Sequence, residues 1–219
     1  MVLTKEDIAK RVAKELKEGY FINLGIGMPS LVANYIPKGM TVTLQTENGI
    51  IGLGSYPTKD NVDPDLTNAS KQTVTFLKGA VIVDSVEAFA MIRGGHIDLT
   101  ILGGMQIDGN GNIANWKIPG KLVKGMGGAM DLVAGAKRVI VIMQHVDPKG
   151  KSKVLKNCNL PLTGKGVVSE LYTDMAKFEF KNGKMILAEY APGISLEEIK
   201  NVTEADYIVS ENIKEMDIS

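Results

Sequence analysis

Thr41-Val-Thr-Leu-Gln-Thr46, running on into Glu47-Asn48-Gly49-Ile50-Ile51-Gly52, is the stretch on which the fold turns. Its first half alternates β-branched with other residues at period two, the pattern of a strand. It stops at a charge followed by Asn48-Gly49, a dipeptide that tolerates positive φ at both positions and so marks a tight turn. A carboxylate is thereby placed on the rim of a sheet, where open α/β folds tend to bind ligands. Taken alone, the tripeptide reads more commonly as a hairpin corner with Glu47 as a solvated charge.

On the N-terminal side, Thr4 is placed to cap a helix in which Ile8, Val12 and Leu16 recur every four residues, with Gly19 ending it. Phe21 to Leu24 reads as a short buried strand. Gly25 to Ser30 is a turn, and Pro29 suits the first turn of a following helix. Pro37-Lys-Gly39 closes that helix before the Glu47 strand. On the C-terminal side, Ser55 to Ser70 is rich in Pro, Asp, Asn, Ser and Thr. A polar loop of that length beside a strand end suits a lid or binding loop.

Beyond it, Ala80–Asp84, Leu99–Leu102 and Val139–Met143 read as strands, and Ser85–Ile92 as a helix ending at Gly94-Gly95. Gly127-Gly128 precedes a helix around Asp131–Ala134. Hairpins are expected at Asp108–Asn112 and at Asn182-Gly183, between Phe178–Phe180 and Met185–Leu187. Ser195-Leu-Glu-Glu198 is a capping box, and Tyr207–Val209 a last strand. Strands alternating with helices imply an α/β fold: one domain over residues 1–219, with an open, mainly parallel sheet flanked by helices and some antiparallel hairpins.

The bulk numbers exclude several functions. Of 219 residues, 25 are Lys or Arg and 25 Asp or Glu, so the formal net charge is zero. A general nucleic-acid binder needs a basic excess, and aromatics at 5% are too few for base-stacking platforms. Cys158 is the single cysteine, which rules out an internal disulfide or a cysteine metal cluster and fits a reducing compartment. Charge begins at Lys5, with no apolar leader core, and apolar runs such as Val139–Met143 are too short to span a bilayer. No nucleic acid, no membrane and a cytoplasmic location are the expectations.

Several motifs fall short. Gly25-Ile-Gly27 lies between strand and helix as a dinucleotide fingerprint does, with Glu47 as the acid some twenty residues on, but the third glycine position is Ser30. A nucleotide-binding oxidoreductase is the alternative reading this leaves. Gly150-Lys151-Ser152 resembles the end of a P-loop, yet His145 stands where its first glycine belongs. Lys149, Lys151, Lys153 and Lys156 read as a solvated face rather than a phosphate contact. Asp108, Asn110 and Asn112 open like a calcium loop, but Ile113 replaces its glycine and Pro119 its glutamate. His96 and His145 lack metal-pair spacing, and no Gly-x-Ser-x-Gly elbow is present. No metal site is expected.

Leu44-Gln-Thr-Glu-Asn-Gly-Ile-Ile-Gly52 resembles the active-site signature of the 3-oxoacid coenzyme A-transferases. Further segments resemble the β subunit of that family, in order along nearly the whole chain. They are Asn23–Pro29, Met91–Asp98, Ala114–Lys121, Lys124–Leu132 and Leu160–Thr163. Two departures stand out: Thr46 where the family usually has serine, keeping the hydroxyl, and Ser70 where it more often has glycine, beside Lys71.

The resemblance implies a CoA-transferase-like fold and transfer of coenzyme A from an acyl-CoA donor to a short-chain 3-oxo or fatty acid. Glu47 would be the nucleophile, passing through a glutamyl-CoA thioester with ping-pong kinetics, and Gly128 would donate its N–H to the oxyanion. Asn48, Gly49, Lys71 and Gly127 are the further candidates for holding coenzyme A, which is a substrate rather than a resident cofactor. A companion α subunit in a hetero-oligomer is implied as well. An unperturbed glutamate is ionised at neutral pH without an activating base. A non-catalytic scaffold subunit of the same fold is the remaining alternative.

Overall fold

A computed structural model describes residues 2–219. Its strands, in chain order, are β1 (Phe21–Leu24), β2 (Thr43–Gln45), β3 (Ile50–Leu53), β4 (Phe76–Ile82), β5 (Leu99–Gly103), β6 (Gln106–Asp108), β7 (Ile113–Ala114), β8 (Lys117–Ile118), β9 (Leu122–Val123), β10 (Val139–Ile142), β11 (Val154–Leu155), β12 (Glu170–Tyr172), β13 (Ala176–Lys181), β14 (Lys184–Tyr190) and β15 (Ile208–Glu215). The α-helices are α1 (Lys5–Ala13), α2 (Ser85–Arg93), α3 (Ala129–Gly135) and α4 (Leu196–Val202).

Ten strands form the main sheet in the order β15-β14-β13-β12-β10-β5-β1-β2-β3-β4. The five central strands, β12 to β2, run parallel. The antiparallel β2-β3-β4 meander continues the sheet on one side, and the β12-β13-β14 hairpins do so on the other. Parallel strands covered on both faces are apolar throughout. Accordingly all four residues of β10 and the first four of β5 are buried. By contrast β14 alternates, with Met185, Leu187 and Glu189 inward.

Helix α1 docks through Ile8, Ala9, Val12 and Ala13; burying an isoleucine or valine contributes about 1.5–3 kcal/mol. Thr4 caps it reciprocally with Asp7, and Ser195 caps α4 with Glu198. Helix α1 ends at Ala13 rather than at Gly19; Leu16 is nevertheless buried from the turns that follow. The segment after Gly27, read as a helix, is a 3-10 helix, Met28–Tyr35. Strand β4 begins at Phe76, ahead of the expected Ala80, and β15 extends to Glu215. Strand β12, inside the parallel set, was not anticipated; nor were β8, β9 and β11.

The chain leaves β1 for β2 on one side, then returns to β5 and moves on to β10 on the other. The direction of winding therefore reverses between β1 and β5, and loops leaving such a point diverge to open a crevice.

Candidate active site

The crevice is present. A cleft of about 960 Å³ is lined by Leu24 and Gly25 at the end of β1, Glu47 beyond β2, Gly103 and Gly104 at the end of β5, and Met143 and Gln144 beyond β10. Ser85 and Phe89 of α2 and Gly127, Gly128 and Ala129 at the start of α3 complete its rim.

Glu47 is held by a closed turn. The Gly49 N–H donates to the Thr46 carbonyl at 3.0 Å, and the Thr46 N–H to the Ile50 carbonyl at 2.9 Å. The Thr46 hydroxyl oxygen accepts from the Ile50 N–H at 3.1 Å, so a hydroxyl at this position fixes the turn, and threonine supplies it as serine would. The Gly49 carbonyl accepts from the Val83 N–H at 2.9 Å. Gly49 has φ +106°, and a Cβ there would stand 2.0 Å from the Val83 oxygen. Backbone conformation and close packing both demand glycine at this position.

The carboxylate itself lies against Gly128. A Cβ built on Gly128 would fall 2.8 Å from Glu47 Cγ and 3.0 Å from Oε1, so only a bare α-carbon admits the side chain in this pose. Gly128 is the N-cap of α3, with φ −82° and ψ 0°. Among the described residues, neither the Gly127 nor the Gly128 N–H donates to a protein acceptor. Two amides without a protein acceptor thus stand at the start of α3, in the lining of the cleft that holds the carboxyl, at the positive end of a short helix.

Burial raises the pKa of Glu47 above its ordinary value, against smaller opposing effects of its own backbone N–H and of the nearby Asn23 amide. Ionisation at neutral pH, expected from the unperturbed value, is therefore made harder by the site. Asn23 is 1% exposed, donates its amide to the Gln45 carbonyl (3.2 Å) and side-chain oxygen (3.0 Å), and its Oδ1 has no partner among the described residues. Sequence reasoning missed Asn23 as a site residue. The available signal was one amide in the otherwise apolar strand Phe21-Ile-Asn-Leu24, since a polar side chain at a buried strand end needs a reason.

The structure brings Glu47, Asn48, Gly127 and Gly128 to one cleft, with Gly49 behind the turn. Asn48 Nδ2 donates to the Thr67 carbonyl at 2.7 Å, tethering the Ser55–Ser70 loop beside the mouth. Lys71 follows that loop and lies outside the cleft lining, at φ +61°. The left-handed position thus falls on Lys71 itself and not on Ser70. Ala69, two residues earlier, does line the cleft. Lys5, Lys124 and Lys153, also unmarked by the sequence reading as site residues, contribute the cationic side chains of the lining.

His145 is fully buried between Thr173 (3.0 Å from Nδ1) and Thr203 (2.9 Å from Nε2), and burial holds its pKa down at about 4. It is a neutral core residue. Among the described residues no group of three or more His, Cys, Asp or Glu could hold a metal ion. No helix among them is long and apolar enough to cross a membrane. The dinucleotide alternative needs the amide end of an α-helix after Gly27; a 3-10 helix stands there, and Glu47 faces Gly128.

A family model described as coenzyme A transferase matches residues 5–201. The chain is 59% identical, over 94% of its length and 99% of the relative's, to the B subunit of the succinyl-CoA:3-ketoacid coenzyme A transferase of Helicobacter pylori strain 26695. It is 49% identical, over 95% of both chains, to the β subunit of the acetate CoA-transferase of Escherichia coli K12. Against the rat mitochondrial succinyl-CoA:3-ketoacid coenzyme A transferase 2A, 51% identity covers 95% of this chain but 41% of that one. Among solved structures, an acyl-CoA transferase from Escherichia coli O157:H7 superposes with TM-score 0.79 at 23% identity, covering 100% of this chain and 45% of that one. The glutaconate coenzyme A-transferase of Acidaminococcus fermentans gives 0.71 at 19%, covering 99% and 90%. A decarboxylase gives 0.72 at 17%, covering 100% and 90%. At these identities the structures establish the fold, and the decarboxylase illustrates that a fold hosts more than one reaction.

Proposed function

The chain belongs to the coenzyme A transferase family, and from that premise we propose that it is the catalytic β subunit of an enzyme moving coenzyme A between short-chain carboxylic acids, with Glu47 as the covalent nucleophile. The observation that carries this is the Glu47 carboxyl, half-buried at the rim of the cleft and packed against a glycine with a free amide.

The chemistry follows from the need for an intermediate as reactive as a thioester. A Glu47 carboxylate oxygen attacks the acyl-CoA carbonyl; the C–S bond breaks, leaving an acyl–glutamyl anhydride and the coenzyme A thiolate. The thiolate attacks the glutamyl carbonyl of the anhydride, forms glutamyl-CoA and expels the first carboxylate. The acceptor carboxylate then attacks the glutamyl thioester, giving a new anhydride, and the thiolate returns to its acyl carbonyl. Each attack creates a tetrahedral oxyanion. The Gly128 N–H is the donor this reading assigns to it, with Gly127 beside it; losing one such donor costs about 2.7–4 kcal/mol in the barrier.

Partial desolvation assists in the same sense. A carboxylate stripped of water is a better nucleophile than a solvated one, and in this reading the amides at the start of α3 would supply fixed dipoles in place of water. Asn48, the Ser55–Ser70 loop and Lys71 border the mouth, where the nucleotide end of coenzyme A would lie. Remote binding energy there would help drive the reacting end toward its transition state. The relatives named as B or β subunits motivate a separate α subunit as partner, completing the site in a hetero-oligomer.

The test is a half-reaction. The assembled enzyme is incubated with acyl-CoA without acceptor, reduced with borohydride and digested. A reduced glutamyl residue at position 47, found by mass spectrometry, is the expected product. An unmodified Glu47 alongside full turnover would reject the covalent route.

A further inference from the structure

Lys153 stands in the wall between two clefts: the one that holds Glu47 and a neighbouring one of about 740 Å³. Its side chain is half-buried, and its ammonium donates to the Gly104 carbonyl at 3.3 Å. No salt bridge engages it among the described residues. The acids that reach it only through space are Asp147 and Asp174, and both are engaged elsewhere. Asp147 accepts from the Lys149 and Lys151 N–H groups at 2.8 and 2.9 Å, and Asp174 from the His145 N–H at 2.7 Å.

Among the other buried or half-buried cations, Lys10 and Lys117 also lack an acid but lie over the Tyr35 and Trp116 rings, at 6.0 and 5.7 Å, and the rest are paired. Arg11 meets Glu189 at 2.6 Å, Arg138 meets Glu15 at 2.6 Å, and Lys177 meets Glu179 at 3.3 Å. A charge withdrawn from water is costly unless it is paired. Lys153 is withdrawn, unpaired and exposed to the cleft, which leaves an anionic ligand as the partner that fits.

Position narrows the ligand. Gly104 and Glu47 lie just beyond β5 and β2, with β1 between them, a separation of about 10 Å at the backbone. The Lys153 ammonium already sits at the Gly104 carbonyl, and the Glu47 side chain reaches out from the other end, which leaves a gap on the scale of a small acyl chain. Leu102, Ile142, Met143 and Phe89 line the cleft as well, a wall suited to methylene groups. We propose that Lys153 is a specificity-determining residue that binds the free carboxylate of a dicarboxylic acyl group, at the end remote from the carbonyl that reacts with Glu47. The proposal rests on the transfer reaction above for the placement of that carbonyl. The ammonium excludes nothing by shape; it favours a dicarboxylic acyl group over a monocarboxylic one of equal length by a charge-assisted hydrogen bond.

The test uses the assembled enzyme with wild type, Lys153→Met and Lys153→Arg. Methionine keeps the apolar stem and removes the charge, and arginine restores it. For Lys153→Met, kcat/KM should fall roughly 10- to 150-fold with succinyl-CoA and change less than about threefold with butyryl-CoA, while Lys153→Arg recovers part of the loss with succinyl-CoA. Calorimetric binding of free succinate should weaken in parallel, and butyrate binding should not. Equal losses for both donors, or unchanged succinate affinity in Lys153→Met, overturn the proposal even if Glu47 is modified. Selective loss of succinate binding supports it even if no Glu47 adduct forms, so the two readings fail separately.

Discussion

Glu47 carries two opposed requirements on one side chain. Reactivity favours a carboxylate that is poorly hydrated, and stability favours the protonated form in the same surroundings. Because burial raises its pKa in the folded chain, ionised Glu47 works against folding at neutral pH. The stabilising contribution belongs to the protonated form: it is complete below the unfolded value and is lost as pH rises through the folded one. Glu47→Gln should therefore abolish transfer, with kcat down at least about a thousandfold, while raising Tm at pH 7 by about 1–3 °C. That difference should shrink as pH falls and the wild-type carboxyl protonates, which thermal scans from pH 7 to pH 4 would follow. A Tm for Glu47→Gln below that of wild type at pH 7 would contradict the burial argument. The acid limb of kcat against pH should likewise lie above the ordinary carboxylate value of 4.5. Gly128→Ala isolates the neighbour. Its φ of −82° tolerates a side chain, so the fold should persist, but the added methyl meets Cγ and Oε1 of Glu47. A kcat about 10²–10³-fold lower with Tm within a few degrees of wild type is expected.

At the scale of elements, the half of the sheet away from Glu47 is tied to α1 by charges rather than by apolar packing alone. Arg11 holds Glu189 of β14 through two hydrogen bonds, at 2.7 and 2.6 Å. Glu15, beyond α1, receives Arg138 at 2.6 Å, Tyr172 Oη at 2.7 Å and Lys177 at 3.4 Å. Burial alone would raise the Glu15 pKa, but the bonds from Arg138 and Tyr172 overcome it and hold the value at about 2. Here the sign is the reverse of Glu47: the contribution is present above the unfolded value of 4.5 and is lost as pH falls through about 2. Arg11→Met would strand Glu189 with Lys177 and Lys214, both at 3.8 Å. A cost of about 3 kcal/mol, or roughly 6–12 °C in Tm, is the expected outcome by calorimetry at pH 7. Beyond the i,i+4 pair of Arg11 and Glu15, this network was not legible in the sequence, because Arg138, Tyr172 and Glu189 are far from that pair in the chain and only the sheet order brings them to it. Strand β12 escaped for a related reason: Glu170 and Tyr172 flank a single leucine, and their polar groups face this network. What was legible was local. Asn182 and Gly183, with φ +52° and +71°, make the expected hairpin turn, and the capping residues Thr4 and Ser195 announce their helices through reciprocal bonds three residues apart. Glu47 was placed on a sheet rim by its strand-and-turn pattern, while its role and that of Gly128 came through resemblance; Asn23 and Lys153 matter only once the cleft exists.

For the molecule as a whole, the surroundings of the cleft carry several exposed apolar side chains. Ile26 is 70% exposed, Val86 74% and Ile82 63%. Ile26 and the half-exposed Met126 line the cleft, and Val86 follows Ser85, which lines it too. Ile82 ends β4, the outermost strand on this side of the sheet, with free backbone groups along its outer edge. Single exposed apolar residues need no explanation, but a group at one end of the sheet, around the proposed catalytic carboxyl, is where a partner is expected to sit. An α subunit seated there would cover the apolar rim and exclude water from the Glu47 cleft in one step, and so would bind and complete the active site together. Ile26→Asp and Val86→Asp should then weaken association with the α subunit, each by roughly 10-fold or more, while leaving the Tm of the isolated β chain within about 2 °C. Size-exclusion chromatography of the mixed subunits reads the first effect and calorimetry of the β chain the second. Association at wild-type strength in the double variant would place the partner on another face, and the cleft would then have to close over its substrate with this chain's residues alone.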